Sequence, residues 1–425
     1  MVPHGICRRA PAREYGPMLP APHLRMYWRT YMKLLVCNAG STSLKFKLFD
    51  MPAETVLAEG KVERVGTSRA IYHFSEPGGF RLFKENLSVP TYTEGIQLFL
   101  DDILDAEHGV LGSLAELERV GFKTVLSKGH YGIHELTPDV LQGMEDYMVV
   151  APAHNKPYLE AIRQFQKLTP DAMLVGAFET AFHQTIPMER KIYGIPYEWY
   201  EKYGIERLGY HGASHSYVAE TLAEMYGSTG KAISCHLGGS GSLCAIDDGK
   251  SVDTSFGISL QVGIIQSNRC GDIDPFIVPF LQKEGMSLDE VLEGLTKHGG
   301  LLGISGVSND LRDVEKAAVA GNQRAQLAID VFCNGIVRYI GSYYAELGGL
   351  DHLVFTAGIG EHGANIREKV CGQLSHMGIL LDPEKNRNCT GSNTIISRDG
   401  SPVKIHVIPA NEELGVARKT YAYQR

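Results

Sequence analysis

KLLVCNAGSTSLKFKLFD, residues 33–50, decides how the rest of the chain is read. An apolar strand runs into a turn of small residues, Asn38-Ala39-Gly40-Ser41-Thr42-Ser43, and a strand of alternating pattern leaves it. The arrangement returns at AISCHLGGSGSLCAIDDG, residues 232–249, again with a cysteine on the strand, a glycine in the turn and a Ser-Leu pair after it. Two copies of one hairpin predict an internally duplicated architecture of two like domains, at a period too long for a solenoid.

Helical stretches separate the strands. The clearest runs from about Ala320 to Leu347, with Leu327, Val331, Ile336, Ile340 and Tyr344 predicted on its core face and Gly348-Gly349 as its stop. DHLVFTAGIGEHGANIREKV (351–370) reads as strand, Gly-rich turn, helix, and KIHVIPANEELGVARKT (404–420) repeats that order. Interleaved strands and helices indicate an α/β chain.

The composition excludes several classes. With 425 residues the chain has room for two cores, and a formal net charge of -8 argues against nucleic acid as the main partner. No uninterrupted apolar run is long enough to span a membrane. The eight cysteines form no CxxC pair and several sit in apolar runs, the usage of free thiols in a reducing compartment, so a cytoplasmic location is expected and a zinc site is not. Residues 1–31, rich in Pro and Arg, lack the apolar core of a secretory signal. They read as a disordered extension or a misplaced start, with Met32 opening the folded protein.

Small-residue turns let backbone N–H groups approach phosphate oxygens. One such loop can be a plain hairpin; two of them, with the Gly358-Ile359-Gly360 turn at a helix start, point to a nucleotide cleft. Lys45, just past the first loop, is placed to reach a phosphate. Glu179 lies beside apolar residues. His211 and His215 are four apart, a metal-pair spacing on a helix, although Gly212 between them favours a loop entering a helix. Arg269 stands near Asp272 and Asp274, either as a clamp for a phosphoryl group or as an ordinary ion pair.

NAGSTSLKF, FETAFHQT, LGYHGASHSYV, HLGGSGSL, GKSVDTS, NRCGDIDP, GLLGISGVSNDLRDV, FTAGIGEHGANIREKV and NEELGVARKT resemble, in order, the successive blocks of the acetokinase family, which phosphorylates acetate and related short acids. The resemblance runs from Met32 to the C-terminus. It implies the duplicated actin-like, heat-shock-chaperone-like and sugar-kinase superfold, with two domains flanking a nucleotide cleft. Residues 32–181 with 413–425 would form one domain and residues 182–412 the other.

The resemblance also implies roles. Asn38 and Glu412 match positions that support Mg²⁺. His211 and Arg269 match the residues that stabilise the transition state, with Glu179 at the catalytic acidic position. Lys45 matches a nucleotide-contacting lysine, Gly238, Gly239, Ser240, Gly241 and Ser242 match the second phosphate loop, and His236 and Leu237 before it are expected to bind the nucleotide as well. Asp310, Leu311 and Arg312 match the segment near adenosine, and Gly358, Ile359, Gly360, Glu361 and His362 the adenosine turn. ATP, Mg²⁺, a small carboxylate and a homodimer are expected on the same ground.

This sequence departs from the family near the acceptor. In Gly129-His130-Tyr131-Gly132-Ile133-His134-Glu135, Tyr131 is read as standing where the family carries an Arg, so a charge and a two-pronged donor are expected to be missing. Glu179 replaces an Asp. Ile133, Ala153, Tyr210 and Leu260 replace Val, Leu, Phe and Pro, with Ala153 enlarging the pocket and Tyr210 adding a hydroxyl. Gly239-Ser240 replaces Asn-Gly in the second phosphate loop, and His362 replaces an Asn. The expected activity is reversible, in-line phosphoryl transfer from ATP to acetate or a related acid. The alternatives are a paralogous kinase with a different acceptor and a nucleotide-binding homologue without activity.

Overall fold

The run Leu34-Leu35-Val36-Cys37 is apolar on both faces, and such a strand belongs in the middle of a sheet. The computed structural model describes residues 31–40, 42–148, 152–391 and 393–424, with backbone alone at 152–154. The extension expected over residues 1–31 lies, apart from Tyr31, outside the described residues, as does the side chain of Ala153.

The first sheet holds eight strands: β1 (Met32–Ala39), β2 (Ser43–Met51), β3 (Thr55–Glu63), β4 (Thr67–Ser75), β5 (Arg81–Val89), β6 (Leu117–Phe122), β7 (Ile133–Glu135) and β8 (Met173–Ala177). Their order is β5-β4-β3-β2-β1-β6-β8-β7. The second holds six: β9 (Lys231–Leu237), β10 (Gly241–Asp247), β11 (Lys250–Thr254), β12 (His352–Thr356), β13 (Thr394–Ile395) and β14 (Lys404–Val407), in the order β11-β10-β9-β12-β14-β13.

The duplication read from the hairpins is thus a duplication of whole sheets. β1 pairs antiparallel with β2 and parallel with β6; β9 pairs antiparallel with β10 and parallel with β12. Each sheet adds one more parallel strand, β8 or β14, and a short antiparallel edge, β7 or β13. In an open sheet of parallel strands, ligands gather outside the carboxyl ends of the strands. The two glycine turns, the Gly358 turn and Glu179 all lie at such ends.

Helices cover both sheets. The long one spans Gln323–Leu347, starting three residues later than expected, where Asn322 caps it by accepting from Ala325 N at 3.0 Å. Such a cap contributes about 1 kcal/mol. It ends at Gly348, φ 65°, in the left-handed conformation that glycine adopts without strain. Its core face is not the one expected. Ile336 and Ile340 are buried, but Leu327 and Val331 point to solvent, and Ala325, Ala328, Ile329, Phe332 and Cys333 line the core instead. The expected and observed faces share Ile336 and Ile340 but part in the first turns, where Ala325, Ala328 and Phe332 turn inward.

The C-terminal helix Glu412–Ala422 packs on the first sheet. Arg119 of β6 donates to the carbonyls of Thr420, Tyr421 and Tyr423 at its end, a favourable place for a cation. The chain's last helix therefore brings Glu412 back to residues of β6. Among the described residues no helix is long and apolar enough to cross a membrane, and the seven cysteines are free.

Candidate active site

Three residues at the carboxyl edge of the first sheet approach one another. Asn38 ends β1, Lys123 follows β6, and Glu179 follows β8. Asn38 Oδ1 accepts from Tyr158 at 2.7 Å, and Lys45 faces Asn38 across the β1–β2 ladder, exposed. Lys123 Nζ lies 2.7 Å from Glu412 Oε2. Both oxygens of Glu179 and Oε1 of Glu412 are buried and carry no hydrogen bond. A buried polar atom without a partner is costly and marks a place where a ligand completes the bonding.

The electrostatics follow from this crowding. Burial raises the Glu179 carboxyl most; Lys123 pulls it down and Glu412 pushes it up, leaving it at about 7. Burial opposes the charge on Lys123, but Glu179 and Glu412 outweigh it, and the ammonium is held above its ordinary range. Burial opposes the charge on Glu412 too, yet Lys123 and His236 keep it below its ordinary value.

The loop carrying Glu179 is pinned to the second half of the chain. Glu179 O accepts from Gly212 N at 3.0 Å, and a Cβ at Gly212 would stand 2.3 Å from that oxygen. Gly212 opens the helix Gly212–Tyr226, so only glycine lets that helix start against the Glu179 loop. His211, just before it, has φ 58°, which a non-glycine residue adopts at a cost of order 1–3 kcal/mol. The two histidines of HGASH are therefore not a metal pair on one helix. His211 is the N-cap and His215 a first-turn residue.

A chain of hydrogen bonds orients them. His211 Nδ1 and His215 Nε2 both lie 2.9 Å from Ser242 Oγ, and His215 Nδ1 lies 2.9 Å from Ser234 Oγ. His236 stacks on His211 at 4.0 Å and bonds Ser214 through Nδ1. Burial drives His211, His215 and His236 below the ordinary range, His236 to about 4, so all three are neutral at pH 7. His211 Nε2 makes no hydrogen bond within the described residues and remains for a ligand.

Arg269 is not half of an ion pair. Asp272 accepts from Gly263 N and Tyr339, and Asp274 from Phe276 N. Arg269 instead donates to Ser240 Oγ and Gln266 Oε1, both at 3.2 Å. It is half-buried, and that desolvation lowers its affinity for the proton. Among the described residues no carboxylate meets it. A half-buried guanidinium with free donors beside a glycine loop is suited to an external anion.

The remaining candidates sort by place. Gly238 lies next to Ala357, whose own φ is 64°, so the 238–242 loop and the Gly358 turn are neighbours. Leu237, Gly241 and Ser242 are buried, while Gly239 and Gly358 are open. Ile359 is half-buried, Gly360 packs on Phe355, and His362 is exposed. Glu361 accepts from Ala410 N at 2.9 Å, tying that turn to the approach to Glu412. Asp310 caps the helix Leu311–Val319 and pairs with exposed Arg312, which lowers its carboxyl to about 2; Leu311 is buried. Glu315 of that helix bonds Asn365, so the segment lies beside the helix that follows the Gly358 turn.

Of the residues expected to face the acceptor, Tyr131 packs on the core that includes Tyr147, Tyr210, Phe256 and Leu260, while Ile133 packs against Ala177, Ala213 and Val416. The hydroxyl expected from Tyr210 is not offered to the pocket: it donates to Ile258 O at 2.5 Å. Tyr131 Oη is 3.4 Å from Tyr147 Oη. Tyr131 carries no charge into the site; Lys123 does, and the sequence reading passed over it. Its signal was a lone lysine after the apolar strand of RVGFKTV, at the ligand edge of a parallel strand. A cavity of about 600 Å³ lined by Met32, Leu117, Arg119 and Met173 lies at the opposite end of these strands, away from the chemistry.

The model of the acetokinase family matches residues 33–418. The chain belongs to the acetokinase family. The acetate kinase of Shouchella clausii is 44% identical over 393 residues, covering 91% of this chain and 98% of that protein. The crystal structure of Porphyromonas gingivalis acetate kinase superposes with a TM-score of 0.83 at 37% identity, covering 92% of this chain and 98% of that one. A propionate kinase from Francisella tularensis superposes with a TM-score of 0.83 at 35% identity, covering 92% and 99%. This acetokinase-family chain is a kinase with the two-domain α/β fold that the acetate and propionate kinase structures share.

Proposed function

We propose that this protein transfers the γ-phosphoryl group of ATP reversibly to a short-chain carboxylate, acetate first among them, by direct in-line attack. The observation that carries the reading is Arg269: a half-buried guanidinium, free of carboxylate among the described residues, bonded to Ser240 of the glycine loop. The transition state of phosphoryl transfer spreads charge over equatorial oxygens, and catalysis consists of positioning and of donors aimed at that charge. Arg269, the Nε2 of neutral His211 and the N–H groups of the 238–242 loop are such donors. An acetate-like acceptor is ionised at neutral pH and needs no general base. One of its oxygens bonds phosphorus, the bond to the β-phosphate oxygen breaks, and its electron pair leaves with ADP.

The acidic residues fit Mg²⁺, which binds through one or two carboxylates together with substrate phosphates and water. Glu412 and Asn38 would hold it, with Glu179 alongside; the unpartnered buried oxygens of Glu412 and Glu179 are the supporting observation. When bound, the ion neutralises phosphate charge. The apolar lining by Tyr131, Tyr210 and Leu260, with the Tyr210 hydroxyl already engaged, favours a small unsubstituted acid over a hydroxylated one.

The domain division at 32–181 with 413–425 and 182–412, a cytoplasmic location and a homodimer belong to the same reading. Phe276 and Phe280, 75% and 61% exposed, with Ile277, Leu288 and Leu292, form an apolar face suited to a second copy. The function is tested by offering Mg-ATP with acetate, propionate, butyrate and hydroxy acids, and trapping acyl phosphate with hydroxylamine. Product with acetate supports the reading. Product with another acid alone moves the acceptor. No product with any acid overturns it.

A further inference from the structure

We infer that Tyr158 is a positioning residue: its hydroxyl locks the Asn38 amide in the orientation that leaves Nδ2 as a donor to the phosphates of the nucleotide. The inference deepens the phosphotransferase reading above and rests on it. Asn38-Ala39-Gly40, where β1 runs into the first glycine turn, is held from the helix side at three successive residues. Tyr158, buried on the helix Pro152–Leu168, donates to Asn38 Oδ1 at 2.7 Å. Its oxygen accepts from Ala39 N. Tyr92, opening the helix Tyr92–Ile103, donates to Gly40 O at 2.5 Å. Asn155, one turn before Tyr158, fixes that helix by donating to the carbonyls of Leu126 and Met144.

The β-ladder leaves Ala39 N available. Gly40 N bonds Ser43 O at 2.8 Å, closing the β1–β2 hairpin. Bonded and non-bonded pairs alternate along antiparallel strands, so Ala39, opposite Leu44, turns its N–H away from β2. A phenol has one hydrogen. With Ala39 N–H on the Tyr158 oxygen, that hydrogen needs an acceptor, and Asn38 Oδ1 is the one it meets. A flipped amide would set two N–H donors against one buried oxygen and strand the phenol hydrogen, which is costly. The amide therefore has one orientation. Burial, with Cys37, Glu179 and Glu412 close by, holds the phenol far above its ordinary range, so it remains a donor. Asn38 is half-buried, and its Nδ2 makes no hydrogen bond among the described residues, so both hydrogens are left for a ligand. Oδ1 keeps its second lone pair for the Mg²⁺ role given above.

In the full chain, Tyr158→Phe removes only the hydroxyl. The Kd for Mg-ATP, measured by calorimetry without acceptor, is expected to rise about three- to tenfold, the worth of one hydrogen bond. KM for ATP should rise with it, while KM for acetate stays within about twofold. Tyr92→Phe loosens the same turn without touching the amide and should raise the Kd less. In an Asn38→Ala background Tyr158→Phe should add little, because the two residues act as one unit. Asn38→Asp serves if Tyr158→Phe fails to fold: it keeps an oxygen for Tyr158 but has no N–H to offer, and should bind Mg-ATP no better than Asn38→Ala. Wild-type Kd and KM in folded Tyr158→Phe would overturn the proposal. So would an equal loss in Tyr92→Phe, additive losses in the double variant, or undiminished affinity in Asn38→Asp. A purely structural tyrosine would lower Tm and leave the affinity of the folded molecules unchanged. Wild-type protein that binds ATP but forms no acyl phosphate contradicts the parent reading, whereas an active wild type matched in Kd by Tyr158→Phe contradicts this one alone.

Discussion

Ser242 Oγ stands 2.9 Å from His211 Nδ1, with His215 Nε2 at the same distance on its other side. A neutral His211 that donates from Nε2 must accept at Nδ1. The Ser242 hydroxyl can supply that hydrogen while accepting from His215, and Ser234 completes the chain at His215 Nδ1. The serine thus holds His211 in the tautomer whose hydrogen sits on Nε2.

Ser242→Ala is expected to lower kcat about tenfold or more, because the imidazole loses the bond that fixes its tautomer. ATP affinity should change little, since the loop backbone remains. A pH–rate profile separates this from simple unfolding: with the tautomer released, the apparent pKa assigned to His211 moves, while a merely destabilised protein keeps the wild-type profile.

Arg269→Ala should cost on the order of a thousandfold in kcat, the scale of an arginine supplied to a phosphoryl transition state. Arg269→Lys should recover little, since Lys offers no fork to reach both Ser240 and the ligand. Steady-state rates checked against ATP binding decide this. Near-normal turnover in Arg269→Ala removes the residue from the mechanism.

The two halves of the chain reveal what a sequence can carry. The hairpins at 33–50 and 232–249 announced the duplicated sheets because strand alternation and small-residue turns are local patterns. Arg269, His211 and Glu412 were found through motifs, each of which is contiguous. Lys123 was not, because its neighbours come from the ends of separate strands and from a helix almost three hundred residues away (Lys123–Glu412, a separation of 289). The Tyr210 hydroxyl was misplaced for the same reason. Its partner, Ile258 O, is a backbone atom that no side-chain pattern reveals.

Gly212→Ala tests the pin between the Glu179 loop and the His211 helix. The added methyl would meet Glu179 O at 2.3 Å, a backbone atom that cannot swing away. Overpacking of this kind costs about 1–3 kcal/mol. The expected result is a lower urea midpoint together with a loss of activity larger than the stability change explains. An unaffected rate would show that the pin does not position Glu179.

Glu179 gives the stability a pH dependence of defined sign. Its carboxyl titrates near 4.5 in the unfolded chain and at about 7 in the folded protein. Between those values the folded state retains a proton that the unfolded chain has lost, so this group's contribution to stability falls as pH rises through the window. Below 4.5 both states are protonated and the contribution is constant. The buried histidines act oppositely, since they are neutral when folded and gain protons on unfolding at low pH. Comparison with Glu179→Gln isolates the carboxyl: the variant should gain stability relative to wild type from pH 4.5 to 7 in urea titrations. Parallel curves for the two proteins would contradict the raised value.

The central claim is direct transfer from ATP to a carboxylate, and an isotope follows it in one measurement. Acetate labelled with ¹⁸O in both carboxylate positions is incubated with Mg-ATP and hydroxylamine, and the released phosphate is analysed by mass spectrometry. Hydroxylamine cleaves acyl phosphate at the carbonyl carbon, so the bridging oxygen leaves with phosphate. The account predicts one ¹⁸O atom in each phosphate, with ADP formed in equal amount. Unlabelled phosphate accompanying ADP would mean that water, not the carboxylate, receives the phosphoryl group, and would contradict it.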